Sequence, residues 1–413
     1  MHDDGLLEQK AWAAGIASGY HDVDGRYYPA KPGVLAALLA RLADEEHAEG
    51  DFDAVEVAAA GSARTLVLAG VDAPQAAWLA DEAGVRQDVV WQMLSDGLSL
   101  ALPALAEGYY EIAVQQQNGR VFRCFLIAAP DSAYEPPDLA AGHRFNGMTV
   151  QLYSLRSAAN WGVGDFGDLA ALMAFAGRSG LDFIGINPLH ALFGSRPDYA
   201  SPYSPSSRVW LNPMYLDVTQ VAAFQGSQAA QQWLAGEDVQ QQLAAVRAAE
   251  TVDYKAVWAL KKSALQTAFV AFNQDNSPAR QQERAEFAGF VEEKGAALDG
   301  WGVFEALAQH FADLHVLGWP GWPAEYQQPE SEAVREFAAQ HADEVRFYMW
   351  LQWLCAGQLQ TVNEAAQQHG VQLGLYGDLS VGVARGGADI WLNRRVYCSD
   401  VSVGAPPDAF SPV

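Results

Sequence analysis

The chain is short of cysteine, short of positive charge and without a long apolar run, and each shortage removes a class of protein. Its three cysteines, Cys124, Cys355 and Cys398, are odd in number, far apart and never spaced as CxxC. That pattern suggests neither a disulfide framework nor a zinc site, and it reads as a reduced, cytoplasmic protein. Lysine and arginine number 25 against 50 acidic residues, and the net charge of −25 is spread along the chain rather than gathered in a tail. Such a charge repels phosphate backbones and anionic lipid surfaces, so nucleic acid and membrane are disfavoured as partners and a neutral ligand is the easier reading. The amino terminus, Met1-His2-Asp3-Asp4, is acidic where a secretory signal carries positive charge, and no apolar stretch is long enough to span a bilayer. The Gln- and Ala-rich stretch at 225–242 has ordinary amphipathic spacing and shows no internal repeat or true low-complexity linker.

What is present suffices for a sizeable core: of 413 residues, 50% are hydrophobic, which implies two or three domains. Residues 1–50 read as a helical segment, with helical patterning at 6–15 and 34–43 bridged by a turn-rich stretch. Residues 51–138 change to short β runs at 64–69, 109–114 and 121–127, separated by Gly, Asp and Pro, and read as a β-sandwich. After Pro136-Pro137 the order becomes strand (148–153), helix (165–178) and strand (183–187), the helix opened by Asp165 with Asp168 three residues on as a capping box. Strand, helix, strand in that order implies a right-handed parallel crossover. A third strand is expected at 371–376, and the intervening stretch, about 220–369, reads as a mostly helical insertion. The fold class is therefore α/β: an incomplete (β/α)8 barrel over 139–413, with about three strands and a helical insertion, preceded by the helical segment and the sandwich. A barrel needs eight strands, so the chain reads as an interrupted protein.

In a parallel barrel the chemistry sits at the carboxyl ends of the strands. Asp378 closes the third strand ahead of a glycine-rich loop, so it reads as active-site rim. His190, closing the second strand after Asn187-Pro188, suits a ligand contact or a satisfied core histidine equally. Asp389 reads as a helix cap. Trp350 and Trp353 have the helical spacing of core residues, and Trp319-Pro320-Gly321-Trp322-Pro323 reads as a rigid aromatic loop.

Several stretches, taken in order, carry a resemblance: GMTVQLYSLR at 147–156, NWGVGDFGDL at 160–169, INPLH at 186–190, SPYSP at 201–205, GDLSVGV at 377–383, GGADIW at 386–391 and VGAPPD at 403–408. Together they resemble 4-alpha-glucanotransferase, the amylomaltase or disproportionating enzyme family (glycoside hydrolase family 77, alpha-amylase clan). The resemblance covers 145–413, and the amino-terminal segments are similar to the extension of long bacterial members. It implies retaining transfer between maltooligosaccharides or other alpha-1,4-glucans: an aspartate attacks the anomeric carbon, a glutamic acid protonates the leaving oxygen, and their carboxyls lie about 5–5.5 Å apart. A sugar 4-hydroxyl then takes the glucosyl chain, deprotonated by the same glutamate. No metal, nucleotide or other cofactor is implied. In the family the nucleophile lies in an Arg-x-Asp-His stretch, and neither this nor the acid/base stretch occurs here. The nearest look-alike, Asp313-Leu314-His315, falls in an expected helical run. The resemblance thus assigns no catalytic residue to this chain and puts the nucleophile Asp and acid/base Glu beyond Val413. It does imply sugar-binding roles for Tyr203, Asp378, Trp391, Pro407 and Asp408, with His190 as a secondary candidate. Tyrosine and tryptophan stack on apolar sugar faces and carboxylates accept from vicinal hydroxyls. Tyr203 stands between prolines on a rigid loop, which favours binding, whereas Trp391 reads as half core and half wall. Two alternatives remain open at this level, a non-catalytic glucan-binding fragment and an alpha-amylase-type hydrolase. Oligomeric state leaves no mark on the sequence.

Overall fold

A computed structural model of the chain describes residues 2–44, 52–394 and 396–397. The chain divides between Ala141 and Gly142 into two compact units. The first opens with helix α1 (His2–Ala13), a small hairpin of β1 (Gly19–His21) and β2 (Tyr27–Pro29), and helix α2 (Pro32–Asp44). Eight strands follow: β3 (Ala54–Ala59), β4 (Arg64–Leu68), β5 (Pro74–Asp81), β6 (Arg86–Asp88), β7 (Val90–Leu94), β8 (Gly97–Leu102), β9 (Gly108–Gln116) and β10 (Val121–Ala129). They form one sheet in the order β3-β10-β9-β5-β6 and another in the order β4-β8-β7. Alternate residues bury, as the period of a strand requires. Leu66, Leu68, Leu98, Leu100 and Leu102 of the smaller sheet share one core with Ile112, Val114, Cys124 and Leu126 of the larger. A short helix, α3 (Pro137–Ala140), ends this unit.

In the second unit β11 (Gly147–Val150) leads through helix α4 (Phe166–Arg178) to β12 (Phe183–Ile186). A two-stranded ribbon of β13 (His190–Ala191) and β14 (Ser207–Leu211) comes next. Helices α5 (Ala222–Gln225), α6 (Gln228–Leu234), α7 (Glu237–Ala248), α8 (Tyr254–Gln274), α9 (Pro278–His310), α10 (Glu332–Gln340) and α11 (Ala342–Gln368) precede β15 (Gly374–Gly377) and α12 (Ala388–Leu392). The sheet order is β11-β12-β15, and both pairings are parallel.

The capping box is present. Asp165 Oδ1 accepts from the Asp168 amide at 3.2 Å, and Asp168 Oδ2 accepts from the Asp165 amide at 3.1 Å. At their other ends α4 and α11 finish alike. Leu181 N–H reaches Ala176 O and Val371 N–H reaches Ala366 O, around Gly180 and Gly370, both with positive φ. These are Schellman closures, which need a left-handed residue after the helix. The second corrects the expected strand at 371–376: Val371 is spent closing α11, so the strand begins only at Gly374. The first strand is likewise shorter than expected, giving way to a 3-10 turn at Leu152–Ser154. Asp313 and His315 lie in turns after α9 rather than in a helix. The motif glycine Gly164 has a steric reason, because a Cβ there would sit 2.0 Å from Leu152 O. Gly164→Ala is expected to destabilise the unit by about 1–3 kcal/mol, the usual cost of overpacking, read as a lowered denaturation midpoint. An unchanged midpoint would contradict that backbone approach.

The helices bury an aromatic core around Trp301, Phe304 and Trp350, and they also bury charge. Lys261, without exposed surface, donates to Met214 O (2.9 Å) and Leu216 O (2.8 Å) and pairs with Asp165 Oδ2 at 3.5 Å. Burial raises the Asp165 carboxyl to about 6, against the pull of Lys261. Glu305 is only 4% exposed and its Oε1 has no hydrogen-bond partner. Burial pushes that carboxyl up to about 8. Among the described residues no helix is long and apolar enough to cross a membrane.

Candidate active site

The carboxyl ends of the three parallel strands open onto a cleft of about 350 Å³. Each strand supplies part of the lining: Thr149, Val150 and Gln151 from the end of β11, Gly185, Ile186 and Asn187 from β12, and Tyr376, Gly377 and Asp378 from β15. Tyr203, on the loop between β13 and β14, completes it. Parallel sheets place ligands at this end because the strand ends splay and the loops that follow carry polar side chains.

Tyr203 and Asp378, 175 residues apart in sequence, meet here, the tyrosine hydroxyl donating to Asp378 Oδ2 at 3.0 Å. The bond holds the Tyr203 hydroxyl above its ordinary pKa, with the nearby negative charge adding to the effect. Both side chains are exposed, so they offer an aromatic face and a charge-assisted acceptor to a ligand in the cleft. Asn187 anchors the floor. Its Oδ1 accepts from the Leu152 amide at 2.8 Å, and its Nδ2 donates to Pro188 O at 2.9 Å and to the Tyr215 hydroxyl at 3.2 Å.

The other residues singled out from the sequence are placed as follows. His190 does not close the second strand; β12 ends at Ile186, and His190 opens the separate ribbon opposite Leu211. It is half-buried, and its Nε2 accepts from the Ser380 amide at 3.3 Å, which brings it to the loop that carries Asp378. Burial, then the Arg208 charge, lowers its pKa, while Asp389 and Asp378 oppose the shift. Trp391 is not brought to this cleft: it is 1% exposed, packs on Phe304 and Trp322, and donates from its indole nitrogen to Tyr326 O at 3.1 Å. Asp389 does not cap its helix; its Oδ2 accepts from the Arg208 amide at 2.9 Å. Trp350 is buried and Trp353 partly buried, as their helical spacing implied, and Trp319 and Trp322 of the aromatic loop are buried as well. Pro407 and Asp408 lie outside the described residues.

Sequence reasoning passed over Arg208, Ser206 and Ser380. Ser206 Oγ accepts from the Ala388 amide at 3.1 Å, and Arg208 Nη1 donates to Ser380 O at 3.1 Å. The available signal was the polar run Ser206-Ser207-Arg208 placed immediately before apolar Val209-Trp210-Leu211. Among the described residues no group of three or more His, Cys, Asp or Glu could hold a metal ion.

Comparison with known proteins adds to this geometry. A 4-alpha-glucanotransferase of Haemophilus influenzae is 37% identical over 416 residues, covering 98% of this chain and 59% of that protein. One from Mycobacterium tuberculosis is 32% identical over 443 residues, with the same coverages of 98% and 59%. The chain thus spans about three fifths of the length of these curated relatives. Among solved structures, amylomaltase from Corynebacterium glutamicum has a similar fold, with a TM-score of 0.75 at 24% identity over 98% of this chain and 59% of that one. Amylomaltase from Streptococcus agalactiae in complex with acarbose gives a TM-score of 0.52 at 21% identity, covering 65% of this chain and 51% of that one. The family model described as 4-alpha-glucanotransferase matches residues 150–413, well over half of the chain, and the chain belongs to that family.

Proposed function

We propose that the chain carries the glucan-binding part of a 4-alpha-glucanotransferase that moves alpha-1,4-glucan segments between maltooligosaccharides by retaining double displacement. The observation that carries this reading is the meeting of Tyr203 and Asp378 at the carboxyl ends of three parallel strands. An aromatic face and a carboxylate side by side suit a ligand with apolar C–H faces and vicinal hydroxyls. On this reading the three-stranded sheet is the opening of a (β/α)8 barrel with α5–α11 as its insertion, and residues 1–50 and 51–138 are the helical and sandwich extensions. Tyr203 and Asp378 contact sugar, as do Pro407 and Asp408. On the same reading the reacting Asp and Glu belong to the two fifths of the Haemophilus influenzae relative's length that this chain does not match. The buried free thiols of Cys124 and Cys355 accord with a reducing, cytoplasmic setting.

The test takes the purified 413-residue chain. Calorimetric titration with maltooligosaccharides is expected to show binding, and incubation with maltotriose is expected to yield no new products. Asp378→Ala should weaken binding by about tenfold or more, the worth of a charged hydrogen bond. Glucose together with longer maltooligosaccharides would overturn the placement of the reacting carboxylates. A folded chain that binds no maltooligosaccharide would overturn the glucan reading.

A further inference from the structure

Within 377–382 Ser380 alone is buried. It has no exposed surface, whereas its neighbours Leu379 and Val381 are 65% and 94% exposed. Each of its polar groups is engaged. The amide donates to His190 Nε2 at 3.3 Å, the hydroxyl donates to Gly382 O at 2.6 Å with Tyr203 O as a weaker acceptor at 3.4 Å, and the carbonyl accepts from Arg208 Nη1 at 3.1 Å. The same Nη1 reaches Val381 O at 3.2 Å. Arg208 is itself fixed at its root, because its amide donates to the buried Asp389 carboxylate. A rigid guanidinium thus bridges β14 to two successive carbonyls of an irregular loop.

We propose that Arg208 and His190 are positioning residues that hold the 378–382 loop, and with it Asp378, Leu379 and Val381, in the conformation that receives an alpha-glucan. The proposal rests on the glucan reading of the cleft. Two features separate it from a merely structural bond. The loop buries only Ser380, so releasing it sacrifices little apolar contact and little stability. Its two bulky apolar residues face solvent, where a connecting loop would be polar, and together with Tyr203 they offer a surface for the C–H faces of a sugar. His190 can accept from Ser380 only while Nε2 is unprotonated. The charged groups facing it are Arg208, which opposes its protonation, and Asp378 and Asp389, which favour it. Acidification therefore releases the Ser380 amide and loosens the loop.

The experiment is calorimetric titration of the 413-residue chain with a maltooligosaccharide, paired with thermal unfolding, for wild type, Arg208→Met, Arg208→Lys and His190→Gln. Arg208→Met should weaken binding about tenfold with little change in unfolding temperature, and Arg208→Lys should recover part of the loss. Wild-type affinity should fall by about threefold or more between about pH 7.5 and about pH 5.5, and the fall should vanish in His190→Gln, which keeps an acceptor that cannot charge. If the wild type binds and Arg208→Met binds within roughly twofold of it, the positioning role is wrong. It is equally wrong if the lost affinity tracks a large drop in unfolding temperature, since the arginine would then be a structural tie. A well-folded wild type that binds no maltooligosaccharide overturns the glucan reading, and the proposal with it.

Discussion

Replacing Lys261 by methionine is expected to cost about 3–5 kcal/mol, the penalty for removing one partner of a buried, hydrogen-bonded charge. The ammonium satisfies the carbonyls of Met214 and Leu216 and faces Asp165, and its side chain has no exposed surface. Methionine fills much the same volume, so the loss isolates the charge from the packing. Without the cation, Asp165 is left buried beside the like charges of Asp217 and Asp168. The effect should depend on pH with a definite sign. Asp165 already titrates at about 6 in the fold against 3.8 when unperturbed. The folded state therefore holds more proton than the unfolded one between those values, and stability falls as pH rises through them. Loss of Lys261 raises the upper limit, so the variant's deficit should be larger at about pH 8 than at about pH 5. Denaturant titration at both pH values decides this; a loss below about 1 kcal/mol at each would show that the ion pair contributes nothing net.

Substitution at Glu305 should have the opposite effect, stabilising the fold, although its pH dependence has the same sign. Its carboxyl, lifted from 4.5 to about 8 by burial, lacks a partner for Oε1, and the nearby Lys262 donates instead to Gln309 and to the Tyr348 hydroxyl. Burial lowers the Lys262 pKa as well, against the pull of Glu305 and Glu344. The fold accordingly keeps a proton that the unfolded chain gives up above 4.5, and stability drains away as pH climbs from there to about 8. At neutral pH the penalty is about 3 kcal/mol, of which Glu305→Gln should recover roughly 2 after the cost of a buried amide. The substitution should also flatten the stability profile across that window. A profile that keeps its slope in the variant would mean that Glu305 is ionised in the fold.

The parts of the molecule written in local chemistry were legible beforehand. Asp165 and Asp168 announce their helix because a capping box is made by residues three apart. The strands around Leu66, Ile112 and Leu126 announce themselves because one face buries and the other does not. The third strand was misplaced at its start because Val371, apolar and β-branched, looks like strand whether it pairs in a sheet or closes a helix. Trp391 shows the limit for single residues: a tryptophan that walls a sugar site and one that fills a core have the same sequence, and here 1% exposure decides for the core. Tyr203 and Asp378 could each be named, but not their hydrogen bond. Arg208 stayed hidden because it acts on the carbonyls of Ser380 and Val381, and a backbone acceptor has no letter in the sequence.

The central strand β12 pairs on one side with β11, only one helix away, and on the other with β15, which arrives after α5–α11. Closing that second pairing means closing a very long loop, and such contacts form late because their entropy is repaid only once both ends are ordered. The helices, rich in local contacts, can settle first and shorten the effective distance. The cleft between Tyr203 and Asp378 is then the last part of its unit to be assembled. A slow step at that pairing is expected to leave a chain with most of its helix signal and no binding site.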